Sequence, residues 1–158
     1  MIKLKNLKLL IAVILLAFAF KDNIKDYLPD FIKPTSIVVE VSKPADEFIN
    51  FSKDFLEGIT SKQELSELAV LNDEYASKLV SYTSPSTGQV NKLYQEVIKE
   101  VFSNKYVGKY PTLRGGILLM FKDVQGAKER SMSPDDLTRL SNLFRGLSWN
   151  LVEKLNSK

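Results

Sequence analysis

Hydrophobic positions along this chain fall into three regimes: one unbroken run, one β-branched patch, and then repeated stripes at helical spacing. The run covers residues 9–20, twelve uncharged positions behind Lys3, Lys5 and Lys8. As a helix it is about 18 Å long at roughly 1.5 Å per residue. That is short of the roughly 30 Å of a hydrocarbon core, which asks for about 20 residues. Leu9, Leu10, Ile11, Val13, Ile14, Leu15, Leu16 and Phe18 therefore read as the apolar core of a secretory signal, with Ala17 and Ala19 as the small residues of a cleavage site. A second reading keeps the segment as an anchor, its lysines snorkelling to the cytoplasmic face. A third buries it as the first helix of a soluble core. The pattern divides the chain into a signal or anchor (1–19), a tether with an extended arm (20–43) and a helical domain (44–158).

Within the tether, Ile24, Tyr27, Leu28, Phe31 and Ile32 share one helical face, with Pro29 near a start or kink and Pro34 as a stop. That face packs on the domain or lies on a membrane surface. Residues 36–41 (SIVVEV) form the β-branched patch and read as a short extended arm, with no second strand evident for it to pair with.

From residue 42 onward the spacing predicts about five helices packed as an all-α bundle. Pro44, Asp46 and Glu47 mark the first start, Phe48, Ile49, Phe51, Phe55 and Leu56 its buried face, and Gly58 its stop. Ser61 and Glu64 have capping-box spacing and open the second helix. Its inner side holds Leu65, Leu68, Ala69, Asn72, Tyr75, Ala76, Leu79 and Tyr82. After a Ser/Thr/Pro/Gly loop at 83–88, a third helix over 89–102 buries Val90, Leu93, Tyr94, Val97, Ile98 and Val101. Residues 104–111 break the pattern and predict a loop. A fourth, shorter helix covers 112–124, weakened by Gly115 and Gly116. Ser133 and Pro134 start the last helix, which turns Leu137, Leu140, Phe144, Leu147, Leu151 and Leu155 inward.

Composition narrows the chemistry. The chain has no cysteine and no histidine, which removes disulfides, thiolate chemistry, the commonest general base and the commonest transition-metal ligand. Its net charge of +3 is carried by the three lysines ahead of the apolar run, so the high pI gives no argument for nucleic acid. Beneath that neutrality, residues 20–80 carry seven basic and twelve acidic side chains, while 99–130 carry seven basic and three acidic. The two segments can attract each other, or the basic one can face phosphate, headgroups or an acidic partner.

Adjacent carboxylates at Asp46/Glu47 and Asp135/Asp136 sit in first helical turns, where the backbone dipole alone favours them. Neither the calcium-loop nor the phosphate-loop spacing is present, so no catalytic residue, metal ligand or cofactor is expected. Asn50 and Ser52 complete a formal glycosylation sequon inside a predicted helix. The candidate contact loop is Lys105, Tyr106, Lys109, Tyr110 and Arg114, three cations interleaved with two tyrosines that suit phosphate or glycan contacts. Tyrosines that simply cap the core explain the same pattern. Residues 115–121 are apolar all round, which predicts a segment central to the bundle. The alternative is a segment that leaves the core for a bilayer or a partner.

One resemblance spans most of the domain. LNDEYASKLVSYTSPSTGQVNKLYQEVIKEVF (71–102) followed by SPDDLTRLSNLFRGLSWNLVEKL (133–155), behind a short export signal, is similar to small phage-encoded exported or membrane-anchored proteins. No functional motif defines that group, so no site residue carries over. The resemblance implies a domain in the host periplasm or envelope, with roles in lysis, exclusion of competitors or attachment to an envelope component. The layout is also similar to holins that expose a globular periplasmic domain. Taken together, the expectation is a non-catalytic exported or membrane-anchored interaction protein. Its N-terminus meets the membrane or export machinery, its domain meets an envelope protein or glycan, and homo-oligomerisation is compatible with either. A membrane-permeabilising lysis protein and a carboxylate-dependent wall hydrolase are the alternatives.

Overall fold

The computed structural model describes residues 40–126 and 131–158, all within the unit Val39–Lys158. Residues 9–20, the 22–34 stripe and most of the 36–41 arm lie outside the described residues; Glu40 and Val41 have no regular structure. The described part is all-α, with six helices and no strand. They are α1 (Asp46–Ser52), α2 (Lys62–Leu79), α3 (Thr87–Ser103), α4 (Lys105–Lys109), α5 (Pro111–Gln125) and α6 (Pro134–Asn156).

Helices α2 and α6 form the antiparallel spine. The hydroxyl of Ser141 donates to the Ala76 carbonyl and that of Ser148 to the Ala69 carbonyl, both at 2.7 Å. One residue number rises by seven as its partner falls by seven, so small side chains recur at each second turn of the seam. Ala69, Ala76 and Ser148 are fully buried and Ser141 nearly so. Small residues let the two backbones approach closely enough for a serine to reach across. Each such bond is worth about 1 kcal/mol net.

Two glycines let other chain segments cross this frame. A Cβ on Gly146 of α6 would fall under 3.0 Å from the Phe48 carbonyl, so α1 rests directly on the α6 backbone. Asn150, one turn on, donates to the Ile49 carbonyl at 2.8 Å and to the Ser52 hydroxyl at 3.0 Å, satisfying the end of α1. The first predicted helix is thus shorter than its stripe: it tightens into a 3₁₀ turn over Lys53–Leu56 and stops at Gly58, whose φ of +79° suits glycine. That turn presses the Phe55 ring onto Gly116 of α5, where any Cβ would overlap it.

Aromatic rings then link the layers. Tyr75 of α2 meets Phe144 of α6 at 5.6 Å, Phe144 meets Phe121 of α5 at 6.0 Å, and Phe121 meets Tyr94 of α3 at 5.7 Å, all edge-on. Caps place the helix starts. Ser133 and Asp136 close a reciprocal capping box with Pro134 at the first turn, and Ser86 and Gln89 close another.

Several expectations are corrected here. Ser86 starts α3 at Thr87, so Gly88 belongs to the helix, not the loop. Ala45 is the N-cap of α1, which leaves Pro44 outside the helix. Tyr82 is 49% exposed, because α2 ends at Leu79 and the inner stripe ends with it. The stretch 104–111 is not a loop, since Lys105–Lys109 closes a helical turn.

Candidate functional site

Asn104 sets up the segment singled out in the sequence. Its side-chain oxygen accepts the Tyr106 amide at 2.8 Å and caps α4. On a helix, residues four apart share a face, so Lys105 and Lys109 form one row and Tyr106 and Tyr110 another. Opposite them, Glu64 and Glu67 stand one turn apart on α2.

The two sets match rung by rung. Tyr110 donates its hydroxyl to Glu64, and Lys109 reaches the other oxygen of that carboxylate at 2.7 Å. Tyr106 donates to Glu67, Lys105 lies 3.7 Å from the same carboxylate, and Gln63 donates to it at 2.8 Å. Each ammonium also lies over its neighbouring ring, Lys105 at 4.6 Å from the Tyr106 centroid and Lys109 at 5.2 Å from that of Tyr110. A depression of about 400 Å³ opens between these groups and Ser61.

Electrostatically the cluster is closed. Hydrogen bonding from Lys109 and then Tyr110 holds the Glu64 carboxyl below its ordinary value, and Tyr106 followed by Gln63 does the same for Glu67. In return Glu67 raises the Tyr106 hydroxyl, and the Glu64 hydrogen bond raises Lys109. Two carboxylates face two ammonium groups, and both phenolic protons are engaged. The arrangement clasps α4 to α2. It also accounts for part of the charge asymmetry along the chain, because acidic residues of the first segment neutralise basic ones of the second. Ser61 accepts the Glu64 amide, but the Glu64 carboxylate turns to Lys109 and Tyr110 instead of completing a capping box.

No family model, curated protein or solved structure matches this chain.

Arg114 stands apart from the clasp, with its guanidinium 5.9 Å from the Phe102 ring. It begins a different surface. Along α5, Leu113, Ile117, Met120 and Val124 face the core, while Leu118 and Leu119 are 51% and 53% exposed. The expectation that 115–121 is wholly central is therefore corrected: a packed helix on a bundle's side buries one face, and a run without polar positions leaves leucines on the other. Arg114 and Lys122 lie one turn before and one turn after Leu118. Beside Leu119, a groove of about 400 Å³ is lined by Phe51, Lys122, Asp123 and Gly126. Asp123 is held by Arg139 at 2.8 Å.

The other sequence candidates find local uses. Asp46 pairs with Lys43 at 3.1 Å, and Asp136 is spent on its capping box. Ser52 of the sequon is fully buried and donates to the Phe48 carbonyl at 3.1 Å. Among the described residues, no group of three or more acidic side chains is placed to hold a metal ion. The proposed export and cleavage residues, Leu9 through Ala19, lie outside the described residues. Sequence reasoning missed the outward leucine pair; the flanking cations Arg114 and Lys122, each four residues from Leu118, were the signal that could have found it.

Proposed function

We propose that this chain is a non-catalytic helical interaction protein, exported across or anchored in an inner membrane and facing a bacterial envelope, encoded by a phage. The observation that carries the interaction role is the Leu118–Leu119 pair. It is held outward from the middle of a packed helix, in a domain whose other prominent charged cluster is neutralised within itself. Exposed apolar residues framed by cations are a contact surface, not a reaction site. The address rests on the twelve-residue apolar run behind three lysines. Among the described residues no helix is long and apolar enough to cross a membrane.

The N-terminal mass of the expressed protein, read together with cell fractionation, tests the address. A periplasmic chain beginning at Phe20 supports export with cleavage, and an intact chain in the inner-membrane fraction supports anchoring. An intact chain free in the cytosol overturns the proposal. Collapse of the membrane potential on expression would replace it with the lysis reading.

A further inference from the structure

We infer that the outer face of α5, formed by Arg114, Leu118, Leu119 and Lys122, docks on an anionic lipid bilayer. The inference rests on the envelope location proposed above and names the surface that the domain meets there.

The leucines cannot turn inward. Gly116 is wedged against Phe55, and Phe121 is stacked among Tyr94, Phe102 and Phe144, so the rotation of α5 is fixed on both sides of the pair. Arg114 and Lys122 are eight residues apart, about 12 Å at 1.5 Å per residue, with Leu118 midway between them. Neither makes an ion pair among the described residues, whereas the acid on this side, Asp123, is bound to Arg139. Apolar side chains flanked by unpaired cations complement a negatively charged lipid surface: leucines enter the headgroup boundary while the long basic side chains remain at phosphate level.

The alternatives fit less well. A stable protein partner asks for roughly 1,000 Å² or more of complementary surface, and the exposed apolar area here is one pair of leucines beside a groove. A second copy, meeting face to face about a two-fold axis, would bring Arg114 and Lys122 against the same two cations of the other copy.

The absence of cysteine makes a direct test simple. Gly115 is exposed on the same face with open space where a Cβ would go, so Gly115→Cys accepts an environment-sensitive fluorophore beside the two leucines while both are kept. Ser77→Cys, exposed on α2, is the reference position. Full-length protein is reconstituted with phosphatidylcholine vesicles, with and without phosphatidylglycerol. The label at 115 should shift to the blue and resist iodide quenching with phosphatidylglycerol alone, while the label at 77 stays open to quencher in both. Cations near an anionic surface contribute about 1 kcal/mol each, so Arg114→Gln with Lys122→Gln should lower the docked-to-free ratio on the order of 30-fold. Chains that float with vesicles but leave position 115 open to iodide overturn the docking surface and keep the envelope reading. Chains that float with neither composition overturn the docking surface, while the envelope reading is decided separately by the N-terminal mass and fractionation. Protection that grows with protein concentration without lipid assigns the face to a second copy and also overturns the inference.

Discussion

Adjacent glycines on α5 should respond to the same substitution with opposite sign. Gly115 has open space where a Cβ would go, so Gly115→Ala gains helix propensity alone, about 0.8–1.0 kcal/mol of added stability. Gly116→Ala gains the same propensity but places its methyl inside the Phe55 ring, which is 8% exposed and stacked edge-on against Phe51 at 5.7 Å. Overpacking of this kind costs about 1–3 kcal/mol, and complete expulsion of the ring would forfeit its burial, about 1.5–3 kcal/mol. The net expectation is that Gly116→Ala lies between neutral and about 2 kcal/mol destabilised, with a gap of about 1–3 kcal/mol between the two variants. For a domain of this size that gap corresponds to roughly 4–12 °C in Tm, at about 4 °C per kcal/mol. Thermal and urea unfolding of the full-length variants, followed by circular dichroism at the helical band, measures it. Phe55→Leu supplies the control: if the ring is the obstacle, Gly116→Ala costs less in that background, giving a favourable coupling in a double-mutant cycle. Gly116→Ala as stable as Gly115→Ala, or no coupling to Phe55, refutes the docking of the 3₁₀ turn on α5.

Three further outcomes follow from the same geometry. Gly146→Ala should cost more than Gly116→Ala, because the obstacle is the Phe48 backbone carbonyl and not a movable ring; differential unfolding of the two variants checks the order. Asn150→Ala removes the amide that donates to the Ile49 carbonyl and the Ser52 hydroxyl and should destabilise by about 1–3 kcal/mol, read from the denaturation midpoint. The clasp should weaken in acid. Glu64 and Glu67 have lowered carboxyl values in the folded chain, so their contribution is present above the ordinary value of 4.5 and is lost as pH falls through the depressed folded values. A stability titration through that range should show an acid limb that flattens in Glu64→Gln/Glu67→Gln, and an unchanged limb would assign the acid response elsewhere.

Residues that obey a local rule were legible in the sequence. Leu65, Leu68, Ala69, Asn72, Tyr75, Ala76 and Leu79 recur at helical spacing, and every one is buried. Ser133 followed by Pro134 begins a helix because a capping hydroxyl and a fixed φ act within one turn. Gly58 ends its segment through its own backbone freedom. The candidate site was legible in part: the tyrosines and lysines at 105–110 stood out, while their partners did not. Glu64 and Glu67 are some forty residues away, and spacing along a chain carries no record of which carboxylate a lysine will meet.

What the amino-acid order determined by itself was an all-α domain, the position of its caps and most of the side chains that leave water, since each depends on interactions within a few residues. Tertiary packing alone decided that Gly116 and Gly146 are crossing points, that Lys105 and Lys109 are neutralised, and that Leu118 and Leu119 remain in solvent. An unbroken apolar stretch has no period to choose its inner side. That choice was made by Phe55, pressing from another part of the chain against Gly116, which carries no side chain to resist it.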